Sequence, residues 1–170
     1  MNKKVLIRKI NRNNWCSDAL TVDGIYADAI TNCLKTKNNK LSFWLVNDEN
    51  DKNDIIVAMI SISDAIESID IVEIEEEEIK KNKIDLEQTD GITEIEEFAK
   101  RHFDVINLDY KKLGILAGII SENARNNDKV YRLTKGQLKE IMKSFIEKKH
   151  GIIESCSEKF KKLLAKENLI

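Results

Sequence analysis

The most constraining stretch of this chain is residues 73–83, which read E-I-E-E-E-E-I-K-K-N-K and are matched nowhere else in the sequence for charge density. Between Asp70 and Glu97 twelve acids face three bases, so this window carries −9 in a chain whose net charge is −2. Like charges at this density repel, and they stay in water or meet a cationic partner. The charge is therefore segregated, and the tail from Tyr131 onward compensates with ten bases to five acids. The sequence names no reaction. It constrains the fold and the kind of surface the chain presents.

At 170 residues, 42% of them hydrophobic, the chain can bury a real core. Proline is absent and the six glycines are scattered, so helices can run to their natural ends. The wealth of Ile, Asn and Lys points to an AT-rich, bacterial-type genome. The N-terminus has only three consecutive apolar residues before another base, which does not resemble a signal peptide. The longest apolar runs, 55–60 and 115–120, fall far short of a membrane span. Cys16, Cys33 and Cys156 leave an odd thiol and form no close pair, which favours a reducing, cytoplasmic setting.

Three strands are expected in the first half, at Val5–Ile10, Leu41–Val46 and residues 69–74, each apolar and rich in branched or aromatic side chains. Between the first two, Asp23 is placed to cap a helix carrying Tyr26, Ala29, Ile30, Cys33 and Leu34. Residues 55–66 keep helical spacing long enough to favour helix over strand. Strand, helix, strand, helix, strand is a βαβ pattern, so the expected fold is α/β (α+β). A small three-stranded parallel or mixed sheet with βαβ crossovers would occupy residues 1–84. Residues 85–170 would form a helical half packed against it, the two making one compact unit.

The helical expectation rests on caps and spacing. Thr93 with Glu96, Thr134 with Gln137 and Ser155 with Glu158 have the spacing of capping boxes. Asp109 opens a helix with Leu113, Leu116, Ala117 and Ile120 on one stripe, and Gly151 suits a helix C-terminus. Phe145, Ile146, Phe160 and Leu164 fall on the apolar stripes of the last two helices and are expected to pack against Leu116 and Ile120.

The candidate functional residues follow from charge and aromaticity. None of the glycines follows an expected strand, which argues against a phosphate-cradling loop. His102 and His150 fall near expected helix ends and read as solvated. The acids Glu73, Glu75, Glu76, Glu77 and Glu78 are expected to form a docking surface for a basic protein. Trp15 is expected to serve as a lid or interface anchor, because aromatic residues are enriched at binding hot spots. Trp44, mid-strand, reads as core. The Gly114–Gly118 pair permits close helix packing within the chain or, alternatively, a homodimer contact.

The resulting expectation is a non-catalytic, cytoplasmic protein-binding module, of the kind found among inhibitors, immunity or antitoxin-like factors and accessory subunits, without a cofactor. The alternative is a divalent-cation-dependent enzyme acting on phosphate esters. It would hold Mg²⁺ at Asp48, Glu49 and Glu75, beyond the carboxyl ends of the expected strands, which also lead into the loop at 11–14. A further alternative is a nucleic-acid-binding regulator using the basic C-terminal helices, disfavoured because base-stacking aromatics are missing from their polar faces.

Overall fold

The computed structural model describes residues 4–15, 25–48, 51–149 and 151–170. Its centre is a six-stranded sheet built from β1 (Val5–Ile10), β2 (Leu41–Val46), β3 (Ile69–Glu75), β4 (Asp85–Gln88), β5 (His102–Ile106) and β6 (Val130–Leu133). The strand order is β4-β5-β2-β1-β3-β6, and every neighbouring pair is antiparallel. This α+β architecture replaces the expected three-stranded parallel or mixed sheet. The three expected strands form where the sequence places them, but β1 lies between β2 and β3 and runs against both. The strand–helix–strand unit thus joins two like-directed strands that never pair. The second half is not purely helical either, since β4, β5 and β6 complete the same sheet.

Six helices flank the sheet: α1 (Lys52–Ile60), α2 (Glu76–Lys81), α3 (Tyr110–Arg125), α4 (Lys135–Lys148), α5 (Ile152–Ser155) and α6 (Glu158–Lys166). A π-helical turn at Ala29–Cys33 and 3₁₀ turns at Arg12–Asn14 and Glu96–Arg101 fill the connections. The proposed cap Asp23 lies outside the described residues, as do Cys16, Glu49 and His150. Helix α1 stops at Ile60, so Ile66 is buried from a loop and not from the helix expected over 55–66.

Both faces of the sheet are covered. One carries Leu6, Phe43, Leu45, Val72 and Ile74 against Leu116, Ala117 and Ile120 of α3. The other carries Ile7, Trp44, Val46 and Ile71 against α1, α4 and α6. Strands buried on both sides read as continuous apolar runs, which is why β1 to β3 are visible in the sequence. Phe145, Phe160 and Leu164 are buried, but on the face opposite Leu116 and Ile120. The expected packing of the last helices on α3 is therefore corrected: the sheet stands between them.

Capping follows local chemistry. Thr134 and Gln137 form a reciprocal capping box at α4, and Asp109 accepts the Lys112 amide at 2.7 Å to open α3. Gly151 adopts φ 83°, the left-handed backbone expected of it. At α6 the cap is Ser157 rather than Ser155, with Glu94 accepting from the Ser157 amide and hydroxyl at 2.8 and 2.7 Å. Thr93 donates to the Ala58 carbonyl and opens no α-helix, since residues 96–101 wind as a 3₁₀ turn. Gly114 and Gly118 have open space where a Cβ would point, so among the described residues no helix packs closely against them. Among the described residues no helix is long and apolar enough to cross a membrane.

Candidate functional site

The acidic window is dispersed by the fold. Its strand portion alternates with a period of two and its helical portion with 3.6, so neighbours in sequence point apart. Glu73 pairs with Lys52 at 2.7 Å, Glu75 with Lys129 at 3.8 Å, and Glu76 is buried with Lys80 at 3.0 Å. Glu78 accepts from the Asn123 amide at 3.1 Å, and only Glu77 of the five is exposed. Trp15 is fully buried in the core, its indole N–H without a hydrogen-bond partner among the described residues.

Of the cation site expected at Asp48, Glu49 and Glu75, Glu49 lies outside the described residues, while Asp48 follows β2 and Glu75 ends β3 on the same side of the sheet. Because β1 is antiparallel to its neighbours, the loop at 11–14 lies at the opposite end of the sheet from Asp48 and Glu75. Among the described residues no three His, Cys, Asp or Glu side chains come together as a metal-holding group. The basic tail is largely compensated as well, with Lys135 and Lys139 on Glu167, Lys149 on Glu97 and Lys159 on Asp64.

A different site emerges where two central strands part. β1 pairs with β3 along its whole length, from Val5–Glu75 to Ile10–Asp70. Its pairing with β2 ends at Ile7–Trp44. The Arg8 side chain occupies the opening. Its Nε and Nη2 donate to the Cys33 carbonyl at 3.2 and 2.7 Å, and Nη1 donates to the Ser42 carbonyl. The guanidinium lies over the Phe43 ring at 5.5 Å.

Among the described residues every hydrogen-bond partner of Arg8 is a carbonyl, and no carboxylate forms an ion pair with it. Burial pulls its pKa down to about 10, partly opposed by Cys33, so it remains charged at neutral pH. A guanidinium carries five N–H donors, and these contacts use three. Two remain for the space around it.

That space is a cleft of about 370 Å³ lined by Arg8, Lys9, Asn11, Asn32, Cys33, Ser42 and Trp44. A second hollow of about 280 Å³ shares Arg8 and Ser42 and adds Lys35, Lys37, Asn38, Lys40 and Asp104. Its lysines are positioned by a two-residue hairpin. Lys37 and Lys40 exchange backbone hydrogen bonds at 3.2 and 3.1 Å, and Asn38 and Asn39 between them have φ 54° and 57°. Asparagine tolerates this left-handed backbone better than most residues, and such turns match strand twist. Lys40 also pairs with the exposed Glu87.

A polar chain backs the cleft. Ser42 and Thr89 donate to the two oxygens of Asp104, at 2.9 and 3.2 Å. Having given its one proton to the carboxylate, the Thr89 hydroxyl accepts from Nδ1 of His102 at 2.7 Å. His102 thus opens β5 half-buried, its ring edge-on to Trp44 at 5.2 Å, instead of lying solvated at a helix end. Gly91 permits this arrangement, because a Cβ there would stand 2.7 Å from both His102 Cβ and the Trp44 ring.

Burial lowers the His102 pKa below 6.5, helped by Arg8 and opposed by Asp104. The native imidazole is therefore neutral at pH values where the unfolded one already binds a proton. The resulting stability is present above pH 6.5 and is lost as pH falls from there toward the native pKa. Urea midpoints measured against pH should fall less steeply below pH 6.5 in His102→Asn than in the wild type. Parallel curves would mean that the ring is solvated in the native protein.

No family model matches this sequence, and neither a curated protein nor a solved structure matches the chain.

Proposed function

We propose that the protein is a non-catalytic binding protein whose ligand site is the opening between β1 and β2, and that it takes a phosphate-bearing anion. The observation that carries this reading is the half-buried Arg8 guanidinium, charged, compensated among the described residues only by carbonyls and with donors to spare beside a cleft. A buried charge is costly unless it is paired. An incoming anion supplies the missing counter-charge, and two oxygens of a phosphate can accept side by side from the planar guanidinium fork. Lys35, Lys37 and Lys40 surround the same hollow with further cations, and the Asp104 charge is taken up by two hydroxyl donors. A basic protein docking on Glu73, Glu75, Glu76, Glu77 and Glu78 has less support, because four of these side chains already have partners within the chain.

Thermal unfolding in inorganic phosphate or pyrophosphate tests the reading. A ligand bound only by the native state raises the melting temperature by mass action, about 2.7 kcal/mol at a hundred times Kd. Wild-type protein should show a rise that shrinks with salt, and the double variant Lys35→Glu/Lys37→Glu, altered only at exposed positions, should show none. Equal rises in both proteins, or none in either at millimolar anion, would contradict the proposal.

A further inference from the structure

We infer that the ligand is a nucleoside monophosphate, its phosphate on the lysine side and its base in the cleft beside Trp44; this rests on the anion reading of the Arg8 opening. The two hollows meet at Arg8 and Ser42 but differ in chemistry. One is cationic, with Lys35, Lys37 and Lys40 around it. The other has Ile10, Asn11, Asn32, Trp44 and Met59 on its walls and carries formal charge only at Arg8 and Lys9. A matching ligand is anionic at one end and neutral at the other.

The less cationic cleft then narrows the class. At about 370 Å³ it falls in the range of small-molecule pockets. Apolar and aromatic walls suit a flat ring, and thioether and indole groups favour aromatic neighbours. Each asparagine side chain offers both donors and an acceptor, the pairing that the edge of a nucleobase presents. Inorganic phosphate would leave this space without a matched occupant. A nucleic-acid strand needs a continuous groove with aromatic platforms exposed to successive bases, whereas Trp44 is only 7% exposed.

Calorimetric titration with adenosine and uridine monophosphates, ribose 5-phosphate, inorganic phosphate and a short oligonucleotide distinguishes the cases. At least one nucleoside monophosphate should bind about ten-fold more tightly than inorganic phosphate or ribose 5-phosphate, the effect of one or two added hydrogen bonds with ring contact. Asn32→Ala, at an exposed position that leaves the core untouched, should remove most of that advantage and leave phosphate affinity unchanged. Equal affinity for phosphate and nucleotide would overturn the inference while the anion site stands, and ribose 5-phosphate binding as tightly as the nucleotide would replace it with a sugar phosphate. A tighter oligonucleotide would overturn it in favour of a strand-binding groove. No binding of any anion would overturn the anion reading itself.

Discussion

Phe145→Ala is expected to remove about 3–5 kcal/mol of stability, the usual cost of truncating a buried phenylalanine. Domains of this size hold roughly 5–15 kcal/mol in total, so the variant should be marginal or unfolded at 37 °C. The ring is 2% exposed, lies 6.3 Å from Phe98 and belongs to the layer that joins α1, α4 and α6 to the sheet. The cavity cannot close by local collapse, because its walls are the sheet on one side and two other helices on the other. Lys143→Ala, on the exposed side of the same helix, should stay within about 0.5 kcal/mol of wild type. Urea titration of the two variants decides the point. A loss under about 1 kcal/mol for Phe145→Ala would mean that α4 does not pack on this face.

Arg8→Met should have two separable effects. Methionine keeps an apolar stem over Phe43 but withdraws three hydrogen bonds from the Cys33 and Ser42 carbonyls. A buried acceptor left unpaired costs about 1–3 kcal/mol. Opposing this, a charge without a carboxylate partner among the described residues has been removed from a partly buried site, which by itself favours the variant. Ser42 is exposed, so water can reach its carbonyl, and only the Cys33 carbonyl bears the full penalty. A net loss of about 1 kcal/mol is therefore expected, much smaller than for Phe145→Ala. The second effect is on binding: the phosphate-induced rise in melting temperature should vanish in Arg8→Met and be partly kept in Arg8→Lys, which retains charge but not the planar fork. A phosphate response undiminished in Arg8→Met would remove Arg8 from the site.

How far the fold can be read from the sequence depends on whether a signal is local. The strands Val5–Ile10, Leu41–Val46 and Ile69–Glu75 are visible because two-sided burial writes them as apolar runs. The helices at Asp109 and Thr134 are visible because their caps and stripes sit within one turn. The remaining strands leave little trace. β4 reads D-L-E-Q at the sheet edge, and charged, short edge strands resist unwanted pairing at the expense of a sequence signature. β5 follows directly on the 3₁₀ turn at Glu96–Arg101, which merges it with an apparent helix. The insertion of β1 between β2 and β3 depends on contacts about forty and sixty to seventy residues apart along the chain, and no local pattern encodes them.

The site was hidden for a related reason. Charge density singles out residues 73–78, yet a charge becomes informative when the fold denies it a partner, and most of those acids have one. The available signal was Arg8 itself, an arginine within V-L-I-R-K-I, since arginine is almost never placed in an otherwise apolar strand without a partner. The hairpin at Asn38 and Asn39 carried a second signal, two adjacent residues suited to left-handed backbone. Neither reveals the parting of β1 from β2, which is a property of the assembled sheet.

The most direct test is a nuclear magnetic resonance titration of the whole chain with inorganic phosphate, following backbone amides and the arginine Nε–H signals. The Arg8 Nε–H, the amides of Asn32, Cys33 and Ser42, and those of Lys35, Lys37 and Lys40 are expected to shift together in one saturable transition. Shifts confined to the lysines of α4 and α6, or no saturable change at Arg8, would contradict the anion site at Arg8.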